Sequence, residues 1–328
     1  MRAAVYTRTG PAGEVLDIVE LDRPEPGPGE VRVRMAWSGV NPSDVKARAG
    51  TRSKAMPFPR VVPHSDGAGS IDAVGGDVDA SRIGERVWVW NAAWGRAEGT
   101  AAEFVVLPAS QAVRLPESVD LEVGALLGIP ALTAWHAVHM KGGVEGRRVL
   151  VAGGAGAVGH YAIQMAKAGG AAQVIATISN EGKAALAREA GADVVIDYRR
   201  EDVRERIRQA TDAHGVDRII EVDFAANATL DFDLLAKEGD VVVYGSGQPE
   251  IAVPFVPGIL KNLSVHFFIV YHLAREDRSR AEEGVTSLLA QSRLRHNIHA
   301  RFPLDRIAEA HELVESGRAV GNVVVALE

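Results

Sequence analysis

The segment RVLVAGGAGAVGHYAIQMAKAGG, residues 148–170, constrains the fold more than any other part of this chain. Its apolar start predicts a buried strand, its glycines predict a tight turn, and residues 157–168 predict a helix. A strand, a glycine-rich turn and a helix in this order open a βαβ unit. The segment therefore predicts a parallel sheet with helices packed on both faces.

The sequence patterns before and after about residue 120 differ. Residues 1 to about 120 contain short β-branched and aromatic stretches separated by glycine and proline, with one helix predicted near NPSDVKARAG, residues 41–50. From about residue 121, strand and helix patterns alternate, which predicts a doubly wound parallel sheet. Further helices are predicted at 120–140, 181–190, 201–211, 227–236, 276–292 and 305–317, and GNVVVALE reads as a last strand.

The C-terminal tail is too short to form a core alone, so we expect it to pack on the N-terminal β unit. The predicted α/β architecture has a discontinuous, mostly β domain of residues 1–121 and 266–328. A doubly wound domain of residues 122–265 is inserted in it. The length of 328 residues agrees with two domains.

Charge and cysteine content exclude several classes of partner and site. The chain has 36 basic and 43 acidic residues and no long basic run, so no nucleic-acid partner and no anionic membrane surface are expected. It has no cysteine, which excludes disulfides, thiolate nucleophiles and sulfur-ligated zinc. No apolar run reaches the length of a membrane span and no signal sequence opens the chain, so a cytoplasmic location is expected.

The glycine turn has the spacing of a dinucleotide site. Gly154 permits the tight turn, Gly156 lets the backbone approach a pyrophosphate, and Gly159 lets the helix pack close to the strand. The helix start offers free N–H groups to the phosphates. Gly153, Ala157 and Val158 complete this predicted cofactor contact. A purely structural turn is the alternative.

The end of the second strand distinguishes the two nicotinamide cofactors. An NAD site places a carboxylate there to bind the ribose 2′-hydroxyl, but this chain has Ile178 at that position. Ser179, Lys183 and Tyr198 follow, and a hydroxyl, an ammonium and a phenol suit a 2′-phosphate. Glu181 is the competing acid, although it also fits as a favourable charge at a helix start. The pattern favours NADPH over NADH.

Several motifs in order resemble one family. They are NPSDVKARAG, PHSDGAGSIDAVG, GERVWVW, PALTAWHAV, the glycine turn, GADVVIDYRRED and GNVVVALE. Together they resemble the zinc-independent quinone oxidoreductases, the zeta-crystallin-like group of the medium-chain dehydrogenases/reductases. The resemblance implies a GroES-like, mostly β catalytic domain built from both chain ends, and an inserted Rossmann domain that binds NADPH.

The resemblance also implies particular cofactor contacts. It assigns the 2′-phosphate to Lys183 and Tyr198, with Ser179 adjoining them. The other residues it implies near the cofactor are Thr133, Gly245, Ser246, Gly247, Phe268, Val270 and Asn322. Glycine and serine are also ordinary turn residues, and a threonine inside a helix often bonds its own backbone, so structural roles are the alternatives.

Zinc members of the superfamily use cysteine ligands and a Gly-His-Glu motif that this chain lacks. Asn41 stands near the usual cysteine position, Ser65 and Asp66 replace His-Glu, and His64 is displaced by one residue. No metal is expected, and His64 is expected to be structural or to lie at the rim of a cleft.

Three residues are candidates for the chemistry. Asn41 is the first, since its amide can donate to an oxyanion or orient the nicotinamide ribose; a turn or cap role is the alternative. Asp44 is expected either to act directly or to cap the helix. Lys46 replaces a tyrosine frequent in the family, and is either a cation in the cleft or a surface lysine.

The expected function is NADPH-dependent hydride transfer to a quinone or an α,β-unsaturated carbonyl compound. Two alternatives are an enoyl-thioester reductase and an NADPH-binding protein without activity, like a lens crystallin. The apolar segment NLSVHFFIVY predicts an edge strand over 263–270 that pairs with a second copy to form a homodimer.

Overall fold

The computed structural model describes residues 1–51 and 53–327. Its strands are β1 (Arg2–Val5), β2 (Asp17–Glu20), β3 (Glu30–Val40), β4 (Asp66–Val74), β5 (Arg86–Val89), β6 (Phe104–Pro108), β7 (Ala112–Arg114), β8 (Arg148–Val151), β9 (Gln173–Ile178), β10 (Val194–Asp197), β11 (Val216–Glu221), β12 (Leu235–Val243), β13 (Ser264–Phe267), β14 (Ile298–Pro303) and β15 (Asn322–Ala326). Its α-helices are α1 (Ala12–Val15), α2 (Pro42–Ala49), α3 (Leu121–Gly124), α4 (Leu132–His139), α5 (Ala157–Ala168), α6 (Glu181–Glu189), α7 (Val203–Ala210), α8 (Phe224–Leu234), α9 (Phe255–Leu260), α10 (Arg275–Ala290) and α11 (Ile307–Glu315).

The chain divides into two compact units. The β unit contains residues 1–130 and 282–328, and the α/β unit contains residues 131–281. Two segments differ from the predicted domains. Residues 122–130 belong to the β unit instead of the α/β unit, and residues 266–281 belong to the α/β unit instead of the β unit. Residues 122–130 belong with the β unit because Gly124 lies so close to β4 that a Cβ there would be 2.5 Å from the Ala68 Cβ. The segment after 265 belongs with the α/β unit because β13 pairs with β12.

The α/β unit is built on a six-stranded parallel sheet in the order β10-β9-β8-β11-β12-β13. Its central strands are buried on both faces, as their continuous valine and isoleucine runs predict. The strand order reverses between β8 and β11. From β8 the sheet extends in one direction through β9 and β10, and in the other direction through β11, β12 and β13. In such sheets ligands bind beyond the carboxyl ends of the strands at this reversal, and the glycine turn follows β8 there.

The β unit is built on a seven-stranded sheet in the order β14-β15-β3-β4-β5-β7, with β6 also paired to β3. All of these pairs are antiparallel except β14 with β15. The C-terminal strand β15 lies beside β3, with Val323 opposite Val40. Its valines pack in the same core as those of β3, so the C-terminal tail completes the N-terminal sheet.

Two predicted elements differ from the structure. The helix expected over 120–140 is interrupted, because Pro130 lies in a wide turn between α3 and α4 and has no N–H to continue the helix. The strand expected over 263–270 ends at Phe267, and a short helical turn, Val270–His272, follows. In the described part of the chain no helix is long and apolar enough to cross a membrane.

Candidate functional site

The glycine turn joins β8 to α5. Backbone conformation requires one of its glycines, and close packing requires two others. Gly153 has φ +67°, a conformation that favours glycine. A Cβ on Gly154 would lie 2.7 Å from the Ala176 Cβ, and one on Gly159 would lie 2.3 Å from the Gly153 carbonyl oxygen. These three glycines therefore shape the turn itself, whatever it binds.

Gly156 differs from its neighbours in the turn. Its φ is −73°, and the atom nearest to a Cβ added there, the Gly153 oxygen, would be 3.2 Å away. The fold therefore tolerates a Cβ at this position far better than at Gly159. Gly156 is the N-cap of α5, and the N–H groups that follow, from Ala157 to Gly159, have no acceptor within the helix. A bare backbone beside free N–H groups suits a phosphate.

The residues assigned to a 2′-phosphate follow the carboxyl ends of β9 and β10, which are neighbouring parallel strands. Ile178 is buried at the end of β9, and its carbonyl accepts from the Tyr198 N–H at 3.1 Å. Tyr198 is 51% exposed and follows β10, while Ser179 is buried. Lys183 is half-buried in the first turn of α6, where its N–H donates to the Asn180 side chain at 3.0 Å.

No carboxylate stands at the end of β9. The competing acid, Glu181, accepts from Arg188 Nη1 at 2.7 Å, and both side chains are exposed. The charge at the helix start is therefore paired along α6. Ser179 directly follows Ile178 in the chain, and Tyr198 is bound to Ile178 through the backbone, so the assignment of a 2′-phosphate to them stays a prediction.

The loop after β12 contains Gly245, Ser246 and Gly247. A Cβ on Gly245 would lie 2.2 Å from the Val222 carbonyl oxygen, and the Gly247 N–H donates to Asp223 Oδ1 at 2.7 Å. The Ser246 hydroxyl donates to the Gln248 carbonyl. The loop is thus bound to the segment after β11, beside the carboxyl end of the sheet.

The remaining predicted cofactor residues have mixed surroundings. Thr133 is buried in the first turn of α4, and Phe268 packs against His136 with ring centroids 4.8 Å apart. Val270 is buried, and its carbonyl accepts from Arg278. The Asn322 amide, in the β unit, donates to the Asn297 carbonyl at 3.0 Å, so its contact is structural and its cofactor role remains only a prediction.

The α/β unit also contains a buried carboxyl pair that the sequence analysis did not find. Glu221, at the end of β11, accepts from the Asp223 N–H at 2.5 Å and from Asn227 Nδ2 at 3.2 Å. The carboxyl group of Asp231, on α8, lies near it, and Glu221 Oε2 and Asp231 Oδ2 are both buried with no other hydrogen-bond partner. Burial raises the pKa of both acids, and the nearby Glu221 helps raise that of Asp231 to about 9. At neutral pH Asp231 is therefore protonated and can donate a hydrogen bond to Glu221.

In the β unit, Asn41 and Asp44 lie together at the start of α2. Asn41 is the N-cap, and its backbone N–H donates to Asp44 Oδ2 at 2.8 Å, which is one half of a capping box. Burial raises the pKa of Asp44 to about 7, against the hydrogen bonds from Asn41 that favour the charged form. Lys46 is half-buried one turn further along α2.

Asp66, at the start of β4, fixes the orientation of the Asn41 amide. Its Oδ2 accepts from Asn41 Nδ2 at 2.8 Å and from the Ile129 N–H at 2.9 Å. A Cβ on Gly128 would lie 2.4 Å from Asp66 Oδ1, so glycine lets the backbone approach this carboxylate. The Asn41 amide therefore has its nitrogen toward Asp66.

His64 is fully buried and hydrogen-bonded at both ring nitrogens. Its Nδ1 lies 2.7 Å from the Ser38 hydroxyl and its Nε2 lies 2.8 Å from His311 Nε2. Of the two roles expected for this residue, the contacts are those of the structural one. Among the described residues no group of three or more histidine, aspartate or glutamate side chains is placed to hold a metal ion.

The comparisons with known proteins agree with this architecture. Residues 27–117 match the family model of the alcohol dehydrogenase GroES-like domain, and residues 157–290 match that of the zinc-binding dehydrogenases. The quinone oxidoreductase of Pongo abelii is 31% identical over 100% of this chain and 98% of its own length.

Two solved structures are similar over nearly their whole length. A structure described as an NAD-dependent alcohol dehydrogenase has a TM-score of 0.92 and 30% identity, covering 100% of both chains. The Escherichia coli quinone oxidoreductase complexed with NADPH has a TM-score of 0.88 and 26% identity, covering 99% of this chain and 100% of its own.

A GroES-like β unit interrupted by a Rossmann domain with a glycine turn defines the medium-chain dehydrogenases/reductases. The similarity to the quinone oxidoreductases extends over the whole chain. The protein belongs to the quinone oxidoreductase family within that superfamily.

Proposed function

We propose that the protein is an NADPH-dependent reductase that delivers hydride to a quinone or to the β-carbon of an α,β-unsaturated carbonyl compound, without a metal ion. The observation that carries the proposal is the surface at the carboxyl ends of β8, β9 and β10. A glycine turn and a helix start lie there beside Ser179, Lys183 and Tyr198. The similar quinone oxidoreductase of E. coli is complexed with NADPH.

The glycine turn fits a pyrophosphate. Gly156 leaves the helix start uncovered, whereas a side chain there would fill the space in front of the N–H groups. The twelve-residue helix α5 adds the positive end of its dipole. Bound NADPH supplies the hydride, and the residues of the chain hold and orient it.

The choice of NADPH rests on charge. A 2′-phosphate carries about two negative charges, and Lys183 is the one cation among the three predicted contacts. Ser179 and Tyr198 add two hydroxyl donors. An NADH site is instead expected to offer a carboxylate at Ile178. The similar NAD-dependent alcohol dehydrogenase makes NADH the alternative outcome of the test.

For the reaction, Asn41 is the proposed catalytic residue. Its amide nitrogen is held by Asp66, and the amide is proposed to contact the ribose of the nicotinamide or the acceptor. In an apolar site one such donor stabilises a developing oxyanion. Asp44 bonds the Asn41 backbone, so its proposed role is to position Asn41. Lys46 is proposed as a cation near the acceptor.

Independence from metal is proposed from the residues themselves. The chain has no cysteine. Asp66 is bonded to Asn41 and to the Ile129 N–H, and His64 uses both ring nitrogens in hydrogen bonds. The side chains that stand where zinc members place ligands are thus engaged in hydrogen bonds with other groups of the protein. Hydride transfer to a quinone or an enone needs no metal, because the proton that completes the reduction can come from water.

The test is NADPH oxidation, followed by absorbance, against 1,4-benzoquinone, 9,10-phenanthrenequinone, an enone and crotonyl-CoA, with NADH in parallel. Turnover with quinone or enone supports the proposal, and turnover confined to crotonyl-CoA would assign a thioester reductase instead. Activity that is lost with a chelator and restored by a divalent ion would contradict metal independence.

The Lys183→Ala variant tests the phosphate site. Loss of one charge-assisted contact is expected to raise the KM for NADPH by roughly 10- to 100-fold and to leave the KM for NADH within about twofold. The matched control is Lys167→Ala, because Lys167 forms an exposed pair with Asp193 in the same unit. Equal losses for both cofactors would contradict the assignment of the phosphate.

We further propose a homodimer through the edge of the parallel sheet. β13 ends the sheet, since it pairs with β12 on one side only. The strand and the segment that precedes it in the chain have exposed apolar side chains, namely Val253, Phe255, Val256, Ile259, Leu260 and Phe267. An apolar edge strand is a site for pairing with a second copy, and a two-fold axis would make the contact self-complementary.

A further inference from the structure

A chain of hydrogen bonds runs through the core of the β unit from α11 to β4. It consists of His311, His64, Ser38, Thr100 and the Asp66 carbonyl, and each of these residues is at most 3% exposed. The distances are 2.8 Å from His311 Nε2 to His64 Nε2, and 2.7 Å from His64 Nδ1 to the Ser38 oxygen. They are 2.7 Å from that oxygen to the Thr100 hydroxyl, and 2.5 Å from Thr100 to the carbonyl. We call these five groups the polar chain.

The end of the polar chain sets its direction. A carbonyl can only accept, so the single hydroxyl proton of Thr100 is donated to Asp66. Ser38 must then donate its own proton to Thr100, and it has only a lone pair left for His64. Every hydrogen bond in the chain therefore points toward Asp66.

The direction of the hydrogen bonds also determines which nitrogen of each imidazole carries the proton. Burial lowers the pKa of His64 to about 3 and that of His311 well below its usual value, so both rings are neutral. A neutral ring has one N–H. His64 must carry it on Nδ1 to donate to the Ser38 hydroxyl, and its bare Nε2 must then accept from Nε2–H of His311. The structure thus assigns an Nδ1–H tautomer to His64 and an Nε2–H tautomer to His311.

The backbone of His64 supports a specific role for its side chain. Its φ is 77°, in the left-handed region that strains a residue with a Cβ. Hydrogen bonds at both ring nitrogens and stacking on His311, with centroids 5.0 Å apart, hold the ring in place. Strain of this kind persists only where the surrounding contacts hold it, and such sites cluster near function.

We propose that His311 and His64 are positioning residues for Asn41. They act through Ser38 and Thr100, which fix the backbone of Asp66. The carboxylate of that residue holds the Asn41 amide at 2.8 Å. The inference rests on the proposed function, because it gives the polar chain a role through the residue proposed to contact cofactor or acceptor.

The test compares His311→Gln with His311→Leu. Glutamine places an N–H donor near the position of Nε2, whereas leucine fills the space and donates nothing. We expect His311→Leu to lower kcat by about tenfold, since small misplacements of a reacting group are costly, with the KM for NADPH within about twofold. His311→Gln should keep most of the wild-type kcat. Equal kcat values for the leucine variant and the wild type, or equal losses in both variants, would overturn the proposal.

A second variant covers the case in which His311→Leu does not fold. His64→Gly relieves the positive φ and removes the imidazole. It should fold and show the same loss of kcat. A fully active His64→Gly variant would overturn the proposal, because a positioning role for His64 requires that kcat fall when the imidazole is removed.

Nuclear magnetic resonance separates this inference from the proposed function. Nitrogen-15 spectra of labelled histidine should show Nδ1–H for His64 and Nε2–H for His311, and the opposite pair of tautomers would contradict the polar chain. The Asn41 side-chain amide resonances should move in His311→Leu and remain in place in His311→Gln. Both measurements are informative even if the wild-type protein does not oxidise NADPH, an outcome that would refute the proposed function alone.

Discussion

At the scale of single residues, the buried carboxyl pair at the end of β11 links stability to pH. Glu221 and Asp231 are both nearly inaccessible, and a second charge beside the first has little water to stabilise it. The folded protein therefore keeps a proton on Asp231 that the unfolded chain releases near its ordinary pKa of 3.8. Because the folded pKa is the higher one, stability is lost as the pH rises from about 4 through about 9.

Asp231→Asn should reverse this loss. An amide at this position donates to Glu221 as the protonated acid does, without a proton to lose. The free energy of unfolding of the variant, relative to the wild type, is expected to rise steadily from pH 5 to pH 8, by up to about 1.4 kcal/mol per pH unit. Its relative melting temperature should rise with it. Differential scanning calorimetry in a pH series measures the difference.

Asp233→Asn is the control for this series. Asp233 lies on the same helix but pairs with Arg204 at the surface, 2.8 Å away. Its effect on the melting temperature should not grow with pH. A similar rise in both variants, or a flat difference for Asp231→Asn, would show that the pair does not share a proton.

At the scale of elements, the turn between β8 and α5 separates what the fold needs from what a ligand needs. A Cβ on Gly159 would meet backbone atoms of Gly153 and Gly154 within about 3 Å, whereas one on Gly156 would meet a single oxygen at 3.2 Å. The glycines of one motif therefore have different reasons for being glycine.

Two alanine variants distinguish these reasons. Gly159→Ala is expected to lower the melting temperature, because strand and helix must move apart to admit the methyl group, at a cost of roughly 1–3 kcal/mol. Gly156→Ala should keep the wild-type melting temperature and lose affinity for NADPH by about tenfold or more, since its Cβ occupies the phosphate position. Calorimetry and a fluorescence titration with NADPH give the two readouts. A Gly156→Ala variant with normal affinity would refute the phosphate site.

The elements themselves could be predicted from local sequence signals. The helix predicted over 157–168 is α5, Ala157–Ala168, because the glycines fix its start and Gly169 its end. The parallel sheet followed from strands that are apolar on both faces. The interruption of the helix predicted over 120–140 was missed, because many apolar residues around Pro130 resemble a continuous buried helix.

The polar contacts could not be predicted in the same way. His64 and His311 are 247 positions apart, and only the assembly of the C-terminal segment on the N-terminal sheet brings them together. Glu221 and Asp231 carry no motif, since an acid after a strand and an acid in a helix are ordinary surface residues in most sequences. Local patterns encode elements, whereas buried polar pairs depend on register and packing between distant segments.

At the scale of the whole molecule, the exposed face around α9 is expected to set the oligomeric state. Phe255 and Leu260 are each 74% exposed and belong to α9, which precedes the edge strand β13 in the chain. Phe255→Glu should weaken the homodimer by roughly a hundredfold, because the contact would bury an unpaired charge. Sedimentation velocity over a range of concentrations measures the dissociation constant.

Ile83→Glu is the matched control, since Ile83 is also an exposed apolar residue but lies in the β unit, at 53% exposure. It should sediment like the wild type. A wild-type protein that is monomeric at all concentrations, or a Phe255→Glu variant that still dimerises with the wild-type constant, would contradict the proposed interface.

The pairing of β15 with β3 has a consequence for the synthesis of the protein. The ribosome completes β3 first and then the entire α/β unit before the last valines of β15 emerge. At typical elongation rates of about 5–20 residues per second, the N-terminal sheet waits many seconds with one edge uncovered. The inserted unit can mature during that delay, so the sheet that contains β3 is completed after the unit inserted in it.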